Sequence, residues 1–82
     1  MTMERKELIK NALVEAIPEF MEKHDYDDIK DLRENDMDLL NIALKNSGIE
    51  LSDDERSDLE FIVRLTVMSA YMNYRIKLNE NR

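Results

Sequence analysis

The residues best placed to do chemistry lie in one short stretch, His24-Asp25-Tyr26-Asp27-Asp28, with Asp31 three positions further on. Closely spaced carboxylates suit a hard cation, and Asp25, Asp27 and Asp28 resemble the opening of a calcium loop. Such a loop requires glycine at its sixth position for the sharp turn and glutamate at its twelfth. Counted from Asp25, those positions hold Lys30 and Asp36, so the glycine is missing and calcium is excluded. The reading that stands is a solvated acidic turn that caps a helix. His24 is the only histidine and there is no cysteine. No set of ligands for a transition metal exists, and a lone histidine beside acids is expected at the surface near a helix end.

The four serines, Ser47, Ser52, Ser57 and Ser69, share that single histidine. Gly48 is the only glycine, which rules out a nucleophile elbow and a phosphate-binding loop, since both need several. Paired carboxylates are plentiful, but they are background in a chain with 19 acids. The expectation is no enzyme, no cofactor and no metal, with action through contact.

A chain of 82 residues is one domain, 1–82, and a small one, so its core is marginal without well-packed helices or association. One glycine and one proline are too few turn-formers for an all-β fold, and 38% charged residues at helical spacing predict an all-α protein. The N-terminus lacks the continuous apolar run of a signal peptide. The most apolar stretch, Phe61 to Tyr74, has 14 residues and contains Arg64, whereas a membrane span needs ~20. A cytoplasmic protein is expected. Net charge is −7, unevenly spread. Residues 1–60 carry 18 acids and eight bases, net −10, while residues 61–82 carry Glu80 and four bases, net +3. An acidic body repels phosphate, which disfavours direct nucleic-acid binding and favours a partner protein with a basic surface.

The elements follow from periodicity and punctuation. Leu8, Ile9, Ala12, Leu13, Ala16 and Ile17 form one helical stripe behind an N-cap at Thr2. Pro18 predicts a kink or the start of a new short helix, with helical structure to about Lys23. Asp27 or Asp28 caps a short helix carrying Ile29 and Leu32 inward. Asn35-Asp36 is a second break, with Asp36 capping a helix of roughly 37–46 whose inward residues are Leu39, Leu40, Ala43 and Leu44. Gly48 ends it in the left-handed conformation, with Ile49 as the apolar contact of a Schellman motif. Ser52 and Glu55 then have the spacing of a capping box, and Asp53 and Asp54 favour the helix start. Arg75, Lys77 and Arg82 favour its end. The expected architecture is a bundle of four to five helices packed around this long C-terminal helix, 53–78.

That last helix is apolar on nearly every side. One face carries Leu59, Ile62, Val63, Thr66, Ala70, Asn73 and Lys77, a second Phe61, Leu65, Met68, Met72 and Ile76, and a third Val67, Tyr71, Tyr74 and Leu78. It is either the buried centre of the fold or half of an interface. Three short helices cannot easily cover three faces, so one side, the Met/Tyr side, is expected to meet a partner or a second copy. Met and Tyr suit interfaces. The candidate partner-binding residues are Phe61, Met68, Tyr71, Met72, Tyr74 and Arg75, with Asp25, Asp27, Asp28 and Asp31 as an acidic rim that steers a basic partner.

Two other helical readings fail on particular residues. An acyl carrier needs a prosthetic-group serine in an Asp-Ser-Leu context, and Asp36-Met37-Asp38-Leu39 has methionine there. A helix-turn-helix would enter the DNA groove with Ser52-Asp53-Asp54-Glu55, the wrong charge. Glu50 to Glu55, followed by an apolar helix containing Met and Tyr, resembles the second half of the Hha/YmoA family over about a third of the chain. That resemblance implies a modulator of a nucleoid protein. In size, acidity and lack of Cys or any catalytic motif, the chain is also similar to the lysis-inhibition accessory proteins (rIII-type antiholins) of T-even-type phages. That likeness carries no site residue, and it implies binding to the cytoplasmic face of a holin. The function expected is that of a small regulator that binds and inhibits or modulates another protein. An Hha-like modulator and an antitoxin or anti-defence inhibitor are the alternatives.

Overall fold

The computed structural model describes residues 2–80, and among these every regular element is α-helical. The helices are α1 (Met3–Lys23), α2 (Ile29–Glu34), α3 (Asp36–Ser47) and α4 (Asp53–Glu80). Arg82, counted on for the basic end of the last helix, lies outside the described residues.

Thr2 caps α1 by accepting a hydrogen bond from the Arg5 N–H at 3.2 Å. Ile9, Leu13, Ala16 and Phe20 are buried at alternating spacings of four and three, which keeps them on one stripe. The helix runs unbroken through Pro18, so no new helix begins there. Pro18 lies on the exposed side, where the Val14 carbonyl that loses its intrahelical donor can turn to water, while Phe20 prolongs the buried stripe.

Asp28, not Asp27, caps α2, its Oδ1 accepting from the N–H groups of Lys30 and Asp31 at 3.1 and 3.3 Å. Asp36 does not cap α3 as its position suggests. Asn35 holds the N-cap position but makes no side-chain cap, and Asp36 is the first helical residue. The Asn35 amide instead donates back to the Asp31 carbonyl at 2.9 Å. Asp36 is buried and reaches Arg64 of α4, Nε to Oδ2 3.4 Å, a tertiary pairing that no local spacing announces.

α3 buries Leu39, Leu40, Ile42 and Ala43, a wider face than its predicted stripe, because it packs on both α1 and α4. Gly48 closes it at φ 73° and donates to the Leu44 carbonyl at 2.9 Å. The Ile49 N–H goes to Ser47 Oγ at 3.4 Å, so this is the simpler αL motif and not the predicted Schellman motif. Ser52 and Glu55 form the expected capping box, Glu55 N–H to Ser52 Oγ 3.3 Å and Ser52 N–H to Glu55 Oε1 3.2 Å. The largest interface is between α1 and α3. α4 lies along one side of the core and contributes Leu59, Val63 and Val67, three of the twelve buried apolar side chains among the described residues. At 1.5 Å per residue its 28 residues span ~42 Å, which accounts for the 43 Å long axis of the molecule.

Candidate protein-docking surface

The buried residues of α4 recur every fourth position, so the opposite face is fixed by helical geometry. At 100° per residue it carries Phe61, Leu65, Met68, Met72 and Ile76. Phe61 is 68% exposed, Leu65 53%, Met72 55% and Ile76 51%, with Met68 half-buried between them. Together they present roughly 400 Å² of apolar surface in one line, the scale of the largest patch on an ordinary monomer. α4 is thus apolar on two opposed faces. Burial by the chain's own core accounts for only one.

Beside this stripe runs a groove between α1 and α4. Met3, Val14, Ile17, Ile62, Leu65 and Ala70 line its apolar part, and its volume is about 570 Å³. Ile17, Ala70 and Asn73 continue into a second depression of about 380 Å³, walled by Met21, Tyr26 and Tyr74. Leu65 belongs to both the groove and the outward stripe.

The tyrosines turn the other way. Tyr71 is half-buried and packs on the core. The Tyr74 hydroxyl donates to Asp27 Oδ1 at 2.9 Å, and its ring meets Tyr26 edge-on, centroids 4.8 Å apart. The Asp27 carboxylate holds the Tyr74 proton and raises its pKa above the ordinary 10.0. The expected Met/Tyr surface therefore divides. Phe61, Met72 and Arg75 are exposed, Met68 is half covered, and Tyr71 and Tyr74 face the body of the chain.

Each carboxylate of the acidic turn has a hydrogen-bond partner, which for Asp27 is the distant Tyr74 hydroxyl and for the others lies within the turn or the start of α2. Asp28 caps α2. Asp25 Oδ1 accepts from the Asp27 N–H at 3.0 Å, and Asp31 Oδ2 accepts from the Asp25 N–H at 3.2 Å. Their remaining lone pairs face solvent, so the turn is ordered and still strongly negative. His24 lies behind it, its side chain 14% exposed and tilted against Phe20. Its Nε2–H donates to Asp38 Oδ2 at 2.8 Å, tying the end of α1 to α3. This bond, with Lys23 at 3.1 Å, holds the Asp38 pKa below the usual carboxylate value. His24 is thus a part-buried structural link and not the surface residue expected. At the other end of the molecule Arg5 clasps Glu55 at 2.7 Å and the Glu50 carbonyl at 2.6 Å, docking α1 on the start of α4 and lowering the Glu55 pKa.

Leu65 and Ile76 belong to the outward stripe and add to the contact residues expected from the sequence. The signal that finds them is the 61, 65, 68, 72, 76 spacing itself, once the Leu59, Val63 and Val67 stripe of α4 is known to face the core. No helix among the described residues is long and apolar enough to cross a membrane. No protein-family model matches the chain, and no curated protein or solved structure matches it.

Proposed function

We propose that this chain is a non-catalytic regulator that binds another protein and inhibits or modulates it, with α4 as the helix around which the complex is organised. The observation that carries this reading is the outward stripe Phe61, Leu65, Met72 and Ile76, an apolar line on a helix whose opposite face already supplies the core. The negative turn of Asp25, Asp27 and Asp28, all exposed, with Asp31 half-buried beside them, steers a partner with a basic surface and affects association rate more than final affinity. A cytoplasmic lysis-inhibition accessory factor of a large phage is a setting that suits a small, acidic, helical protein of this kind.

The test is capture from the producing cells with wild-type and Phe61→Glu baits side by side at several salt concentrations. A defined protein should be retained by the wild type, lost by Phe61→Glu and held less well as salt rises, because exposed charges are screened. Equal capture by both baits overturns the role of the stripe. A salt-indifferent complex overturns the role of the acidic turn.

A further inference from the structure

We infer that, when no other protein occupies it, the outward face of α4 is covered by the same face of a second copy, running antiparallel. The inference rests on the reading of this face as a docking surface and names its occupant. Phe61, Leu65, Met68 and Met72 are spaced four, three and four apart, the alternation that keeps a seam facing a partner helix. Continued by three residues at each end, the seam meets Asp58 and Arg75, both exposed. Among the described residues neither has an ion-pair partner within the chain.

The resulting set, 58, 61, 65, 68, 72 and 75, has spacings that read the same in both directions. A two-fold axis across it therefore superposes the seam on itself, as a closed homodimeric interface requires. Phe61 then meets Met72 of the second copy, Leu65 meets Met68, and Asp58 meets Arg75, each contact occurring twice. A parallel arrangement would set Asp58 against Asp58 and Arg75 against Arg75, so charge selects the antiparallel one. The seam carries one acid and one base, so the −7 of each chain is not concentrated where the copies touch. At 1.5 Å per residue the seam is about 26 Å long. The roughly 400 Å² of apolar surface along this face is about half of the ~800 Å² per partner that a standard specific interface buries, which is the scale of a weak, concentration-dependent dimer.

The test is sedimentation equilibrium across roughly 10 μM to 1 mM, a range in which a weak dimer responds to mass action. The wild type should rise from 9.8 kDa toward twice that mass. Asp58→Arg and Arg75→Asp should each weaken dimerisation about tenfold or more, by placing like charges face to face. The double variant Asp58→Arg/Arg75→Asp should restore it, and an equimolar mixture of the two single variants should form heterodimers. Circular dichroism should show every variant folded, since both positions are exposed. If the wild type dimerises but the double variant stays as weak as the singles, the antiparallel register is wrong. A wild type that remains monomeric at the highest concentration overturns the inference. In that case, binding of a hydrophobic anilinonaphthalene dye that Phe61→Glu abolishes would leave the docking reading standing, and absence of dye binding would remove both.

Discussion

Leu59 and Leu65 sit six residues apart on α4, one on its buried stripe and one on its outward stripe, and replacing each by alanine separates the two roles of the helix. Both substitutions improve helix propensity slightly and equally, so propensity cancels in the comparison. Leu59 is 1% exposed among the core residues, and Leu59→Ala both loses transfer energy and leaves a cavity, at ~2–5 kcal/mol. Leu65 already has half its surface in water and leaves no enclosed void. Its three removed carbons, at ~0.8 kcal/mol per fully buried methylene and about half buried, are worth about 1 kcal/mol. For a domain of this size one kcal/mol moves Tm by about 4–8 °C, so Leu59→Ala should lower Tm by roughly 10–30 °C and Leu65→Ala by less than about 8 °C. The assay is thermal and urea unfolding followed by circular dichroism at about 5 μM, dilute enough that association adds little stability. Equal losses at the two positions would refute the division of α4 into an inner and an outer face. A larger loss at Leu65 would reverse it.

Three further outcomes follow from the geometry. Gly48→Ala should destabilise by about 1–2 kcal/mol, because an added Cβ meets no atom within 4 Å and only the strain of φ 73° remains, and an unchanged urea midpoint would dismiss the αL cap. Asp28→Ala should lose about 0.5–2 kcal/mol with the cap of α2, and Asp27→Ala should show no such capping loss, because only Asp28 accepts from that helix. Asp38 and Glu55 have lowered pKa values in the fold, so their contribution is present above the ordinary carboxylate range and is lost as pH falls through the depressed folded values. Melting from neutral to acid pH should therefore show a falling limb that Asp38→Asn makes shallower, and an unaltered limb would refute the His24–Asp38 linkage.

Much of this fold is written locally. Thr2, Asp28, Gly48 and Ser52 mark helix ends because each satisfies an orphan backbone group within three or four residues, a relation that spacing encodes. The positions of Asp36 and His24 are not written that way. Asp36 has the right type for a cap and instead turns to Arg64, 28 residues away, and His24 is drawn inward by Phe20 and Asp38. Pro18 looks like a break, yet the helix survives because the proline falls on the solvent side, a fact that depends on where α3 packs. The same holds for the candidate surface. The three faces of α4 can be read from the sequence, but which one turns outward is decided by how α4 packs on α1, α2 and α3. That is why Leu65 and Ile76 replace Tyr71 and Tyr74 on it.

The most direct measurement of the central claim is hydroxyl-radical labelling of individual side chains, in dilute protein and in the saturated complex with a second copy or a captured partner. In dilute protein Phe61, Leu65 and Met72 should label strongly while Phe20 and Leu59 stay protected. In the complex, labelling of Phe61 and Met72 should fall while Leu8, exposed on α1, is unchanged. Labelling of Phe61 and Met72 that is equally high in every complex would contradict the claim that the outer face of α4 is where this protein makes contact.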